Sequence, residues 1–287
     1  MPIALLAFDF DPLLHLGDSF AVRWQTVALI VIVAAGLIVT WLMARRDELR
    51  ADDLLFIAVA TVPGAVIGGR VGYVLLHLDY YSANTAAIAD PGQGSLELAL
   101  SIVGGSLTGA YVAALLGAPI GRWLRAAALP LLLALGAGKL SMVLGGSGQG
   151  QLSTLPWSTA YVGAGPWGSL APELPSHPSQ AYEGVATLLI LTVLTLAVAV
   201  ETLQARDGRL FFVALASWAL ARAAISLTWR DTPVVVGLST GGLIAVAIAI
   251  GSAAALIALA RRRPGSQDQV RPGPDVAWAD PETRPRF

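Results

Sequence analysis

Three cations lie inside otherwise apolar stretches of this sequence: Arg70 in GAVIGGRVGYVLL, Lys139 in LALGAGKLSMVLGG and Arg222 in SWALARAAISL. A charge in such surroundings costs several kcal/mol unless it is paired or hydrated, so each is a functional candidate. Tyr73 and His77 follow Arg70 at i+3 and i+7 and share its helical face, as Trp218, Ser226 and Trp229 share the face of Arg222. The stretch SHPSQAYEG adds His177, Ser179, Gln180, Tyr182 and Glu183. Cations gathered at one depth want an anion, and at that depth the available anion is a lipid phosphate. Glu183 is then a counter-ion or a base. Each residue also has a plainer reading. Arg70 could hydrogen-bond carbonyls or pair with Glu183, Arg222 could stack on tryptophan, and Lys139 could snorkel to an interface. His177 could be an ordinary capping or solvated residue, and Arg230 and Asp231 an exposed interfacial pair. No nucleophile, base and orienting group fall in a serine-hydrolase pattern.

The elements that must position these groups are membrane spans. Of 287 residues, 55% are hydrophobic and only 13% charged, about half the charge of a soluble domain. Seven stretches are long enough to cross a bilayer, near 21–43, 54–78, 96–117, 126–145, 180–201, 209–229 and 237–260. The fold class is therefore all-α, a polytopic helical bundle. Of eighteen basic residues, all but Lys139 are arginine. They collect after the odd-numbered spans, at Arg45, Arg46, Arg50, Arg122, Arg125, Arg206, Arg209 and Arg261 to Arg263, whereas 79–95 and 146–178 contain none. This asymmetry predicts an amino terminus outside and a carboxyl terminus in the cytoplasm. Arg70, Lys139 and Arg222 then stand on spans running outward, about 13 to 16 residues along each, or roughly 20 to 24 Å up.

Residues 1–20 read as an extracytoplasmic lead-in, 21–263 as the membrane domain, and 264–287, polar and proline-rich, as a disordered cytoplasmic tail. Outer loop 146–178, rich in glycine and proline with Trp157 and Trp167, suits a lid or an interfacial loop. The glycines at 64, 68 and 72, and at 105 and 109, suit close helix packing. The absence of cysteine excludes disulfides and thiolate chemistry, and the three histidines are too scattered for a helix-borne metal motif. A net charge of −1 without a basic run gives no sign of a nucleic-acid partner.

VIGGRVGYVLLHLDYY, SHPSQAYEG and RWQTVALIVIVAAG, with SIVGGSLTG and ALARAAISLTWR, resemble the prolipoprotein diacylglyceryl transferase family across roughly residues 20–260. The resemblance implies a multi-pass enzyme of the bacterial inner membrane without metal or organic cofactor. Its substrates would be phosphatidylglycerol, or another anionic phospholipid, and the lipobox cysteine in the signal-peptide region of a prolipoprotein. Gly69 and Arg70 match the family's span-two motif. His177, Pro178, Ser179, Gln180, Tyr182 and Glu183 match its span-five motif, and Arg222 its span-six arginine. On this footing Arg222, His177 and Glu183 are the expected catalytic residues. Lys139, Arg70, Tyr73, Gln180 and Tyr182 are the expected lipid- and phosphate-binding residues. The chain departs from the pattern where Val103 replaces a histidine, Lys139 an arginine and Met142 and Gly145 asparagines. Ser147 and Ser226 replace glutamates, and Gln25 a tyrosine. Two outcomes fit such departures: diacylglyceryl transfer or a related phospholipid-dependent reaction, and a catalytically silent anionic-lipid-binding or accessory protein. A transporter of anions or lipid precursors explains the cations but not the motifs.

Overall fold

The computed structural model describes residues 5–17, 19–90 and 92–261. The tail assigned to 264–287 lies outside them. Among the described residues, eight α-helices follow one another: α1 (Trp24–Arg46), α2 (Ala51–Leu76), α3 (Leu78–Ala83), α4 (Leu98–Leu115), α5 (Ile120–Gly145), α6 (Ser179–Ala199), α7 (Arg209–Ile225) and α8 (Thr240–Arg261). Seven of them, all but the short α3, are long and apolar enough to cross a membrane. Their outward faces carry leucine, isoleucine and valine left open for lipid, as at Ile30, Val59, Ile67 and Leu189.

α5 begins six residues before the expected start at 126, at Ile120. Arg122 and Arg125, expected in a loop, occupy its first turns because their guanidinium groups find partners there. Arg122 donates to the backbone carbonyl of Asp47, while Arg125 stands 3.5 Å from the Asp47 carboxylate and donates to the Leu203 carbonyl at 2.8 Å. Three connections at that end of the bundle are thereby tied together.

α7 is the most enclosed span. Leu215, Trp218 and Ala219 pack against Leu132 and Leu135 of α5 and Ile248 and Ala249 of α8. α1 and α6 flank α5 and complete this group. α2 and α4 form a close pair beside it. A Cβ on Gly68 would overlap the Leu100 carbonyl and lie 3.2 Å from the Cα of Gly104. The glycines are what allow that approach, since backbones in van der Waals contact gain dispersion that lipid cannot replace.

The end of the bundle opposite the arginine-rich connections carries short strands beside the helices. β1 (Leu5–Phe8) pairs in parallel with β4 (Ser158–Tyr161), and β2 (Leu13–His15) in antiparallel with β3 (Ala21–Arg23). Loop 146–178 is thus held over the bundle by the amino-terminal segment. Tyr161 is buried, stacked on Phe8 with ring centroids 5.0 Å apart and tilted against Trp167 at 4.8 Å. Gly146, at φ 64°, turns the chain out of α5 into this cap. Arg230 pins the cap from the far side through Gly150 O at 2.6 Å, Ser176 Oγ at 2.8 Å and the Leu170 carbonyl. All three of its nitrogens turn to the cap, and among the described residues it forms no ion pair with Asp231.

Candidate functional site

Four charged side chains, three on helices α5, α6 and α7 and one at the head of α4, meet in an alternating row. Glu97 is the residue preceding α4 and caps it, accepting from Ala99 N at 2.9 Å and Leu100 N at 2.7 Å. Its Oε1 also accepts from Arg222 Nη2 of α7 at 3.0 Å. Arg222 Nη1 donates to Glu183 Oε1 of α6 at 2.6 Å, and Lys139 Nζ of α5 lies 2.9 Å from Glu183 Oε2. Glu97, Glu183 and Arg222 are all buried. The row balances two cations against two carboxylates, which is how such charges persist away from water. Arg222 also lies between two aromatic faces, 4.6 Å from the Trp229 centroid and 5.6 Å from that of Trp218. Its Nε is buried without a partner among the described residues.

This row forms one wall of a cavity of about 550 Å³, whose other walls include Gln25, Tyr73, Met142, Gln149 and Gln180. Leu98, Ala134 and Leu135 are shared with a second cavity of about 440 Å³, lined almost wholly by apolar residues of α1, α2, α4 and α5. A polar chamber therefore adjoins an apolar groove between the α2–α4 pair and the rest of the bundle, with Leu98, Ala134 and Leu135 as their common wall. That pairing of environments suits an amphiphile with a charged head.

Of the residues expected at a site, the structure brings Lys139, Glu183, Arg222, Tyr73 and Gln180 to this cavity. Arg70 is elsewhere. Its guanidinium donates to the carbonyls of Ile88 at 2.7 Å, Ala87 at 2.6 Å, Asp90 at 3.1 Å and Gln93, beneath the Tyr81 ring. Arg70, expected to bind phosphate, here clasps the segment that leads into Glu97, which folds back over it. His177 and Tyr182 also stand apart from the cavity lining. Tyr182 Oη accepts from Trp157 Nε1 at 2.7 Å and lies 3.4 Å from His177 Nδ1. Among the replaced positions, Lys139, Met142 and Gln25 line the chamber. Val103 packs against the core, and Ser226 Oγ donates to the Ala223 carbonyl at 2.6 Å.

Sequence reading missed Glu97. Its signal was a single acid, in SLELAL, at the mouth of a span that carries no other charge. Burial pushes the Tyr161 phenol up to about 12, against a smaller opposing effect of its hydrogen bond with Gln180.

The model of the prolipoprotein diacylglyceryl transferase family matches residues 12–258. The chain belongs to this family. It is 28% identical over 236 residues to the phosphatidylglycerol–prolipoprotein diacylglyceryl transferase of Geobacter sulfurreducens, covering 80% of this chain and 86% of that one. It is 26% identical to the protein of that name from Rhodopseudomonas palustris, over 96% of this chain and 100% of the other. The Methylocella silvestris protein of that name is 28% identical, with 92% and 98% covered. The transferase motif in span two thus carries a loop clasp in this chain, and the motif opening span five carries both cavity residues, Gln180 and Glu183, and a cluster around His177.

Proposed function

We propose that the protein transfers the diacylglyceryl group of phosphatidylglycerol to the cysteine thiol in the signal-peptide region of a prolipoprotein, at the outer side of a bacterial inner membrane. One observation carries the reading: in a chain of this family, the Glu97–Arg222–Glu183–Lys139 row lines a polar chamber that adjoins an apolar groove. Acyl chains occupy the groove, and the phosphate meets Lys139 and the unpartnered Nε of Arg222. The thiol sulfur forms a bond to the glycerol carbon that carries the phosphate. The C–O bond to phosphate breaks, and its electron pair leaves on glycerol phosphate. The thiol proton passes through Glu183 to that leaving group. Lys139 and Arg222 stabilise the charge growing on the phosphate oxygen, a role worth about 10²- to 10³-fold in comparable sites. Glu97 and Glu183 hold the two cations at fixed spacing. His177, Tyr182 and Arg70 act on the rim rather than on the substrate.

The arginines gathered at one end of the bundle support an amino terminus outside and a carboxyl terminus in the cytoplasm. The experiment is direct. Purified protein is incubated with phosphatidylglycerol and a lipobox peptide, and the peptide is examined by mass spectrometry for a diacylglyceryl mass gain. The gain is expected, and its absence beside an active relative would overturn the reading.

A further inference from the structure

Two buried carboxamides in the chamber are half-satisfied. Gln149 Nε2 donates to the carbonyls of Thr159 at 3.1 Å and Pro172 at 3.4 Å, and Gln180 Nε2 donates to the Tyr161 hydroxyl at 3.3 Å. Their nitrogens are thus anchored to β4 and the cap. The Oε1 of each is buried without a partner among the described residues. Gln149 is 6% exposed and Gln180 1%, so bulk water does not solvate them. A native fold rarely leaves such acceptors empty without a reason. Both residues line the chamber that holds the ionic row.

Their place along the chamber gives the reason. Gln180 precedes Glu183 by three residues on α6 and so sits about one turn nearer the cap on the same face. Gln149 belongs to the cap itself, next to Gly148, where an added Cβ would lie 3.2 Å from Gln180 Cβ. The chamber therefore reads, from groove to cap, as apolar wall, cations, then hydrogen-bond acceptors. A phospholipid entering with its chains in the groove has its own parts in that order: acyl chains, phosphate, then whatever the phosphate esterifies. The part lying beyond the phosphate must be a donor.

We propose that Gln149 and Gln180 form a subsite that accepts hydrogen bonds from the hydroxyls of a polyol headgroup. The inference rests on the proposed function for the position of the phosphate, and it adds the means by which the donor lipid is chosen. A headgroup lacking hydroxyls leaves both oxygens buried and unpaired, and discrimination follows from that loss rather than from shape.

The test uses two probe lipids with identical acyl chains and charge, phosphatidylglycerol and phosphatidyl-n-propanol, the second lacking both hydroxyls. Retention of each lipid by the purified full-length protein is read by native mass spectrometry, which needs no turnover. Wild type is expected to favour phosphatidylglycerol by about tenfold or more, and Gln149→Met and Gln180→Met each to bring the ratio toward parity. If either variant fails to melt as wild type does, Gln149→Asn or Gln180→Asn, which withdraws the oxygen but keeps the amide, replaces it. Parity in wild type would overturn the proposal, since ordered water would then be satisfying both oxygens. An unchanged ratio in both variants would overturn it too, placing the selectivity in other groups such as an acceptor-peptide amide. Loss of transfer with the lipid preference intact would count against the proposed reaction and leave the subsite standing.

Discussion

Arg222 is the residue on which the ionic row depends, because it alone touches both carboxylates. Replacing it with glutamine leaves Glu97 and Glu183 buried without their shared cation. Breaking a buried pair in this way costs about 3 to 5 kcal/mol, so Arg222→Gln is expected to lower the melting temperature in detergent and to reduce transfer by more than about 100-fold. Lys139→Met leaves the Arg222–Glu183 pair in place, so its loss of transfer should come with a smaller fall in stability. Tyr161 supplies a pH test. Its folded value is raised to about 12 from an unfolded value of about 10. The associated stability is fully present below pH 10 and disappears as pH climbs toward 12. Thermal unfolding between pH 9 and 11.5 should show that decline in wild type, and Tyr161→Phe should flatten it. At this scale Lys139, Arg222 and Glu183 were legible because a charge in an apolar run stands out by type alone. Glu97 was hidden because an acid at the edge of a span looks like ordinary loop chemistry. The loop contacts of Arg70 were not legible, because depth counted along a helix says nothing about which loop folds back over it.

Helices pack where their surfaces permit, and α2 against α4 is the clearest case. A side chain at Gly68 has no direction in which to yield, since the atoms it would meet are backbone. Gly68→Val is expected to force the pair apart and destabilise the protein by about 1 to 3 kcal/mol or more, read as a lower unfolding midpoint. Because Glu97 N donates to the Gly69 carbonyl at 2.8 Å, the same change should also disturb the acid at the head of α4 and depress transfer. The spans themselves were readable from hydropathy, since about 20 apolar residues leave little else to be. β1 and β4 were not. Strands of four residues carry almost no periodic signal, and each here is specified by a partner distant in sequence.

On the scale of the whole molecule, the two cavities lie along the seam between the α2–α4 pair and the remaining spans, with the cap above. If the arginine-rich end is cytoplasmic, positions at the two ends must differ in access. The chain has no cysteine, so single reporters are unambiguous. In intact cells a membrane-impermeant maleimide should label Ser169→Cys in the cap and spare Gln204→Cys at the other end. The reverse pattern would invert the topology and move the chamber to the inner leaflet. The seam could not be read from one sequence, because hydropathy locates spans along the chain but not the order in which they stand around one another.

The parallel pairing of β1 with β4 sets a timetable for biogenesis. β1 leaves the ribosome first, yet its partner follows only after four spans have been synthesised. At about 5 to 20 residues per second, the amino-terminal strand waits on the order of ten seconds or more with its edge open. The roof of the chamber therefore closes late, after α1, α2, α4 and α5 have entered the bilayer, and a nascent chain cannot enclose a lipid before that moment.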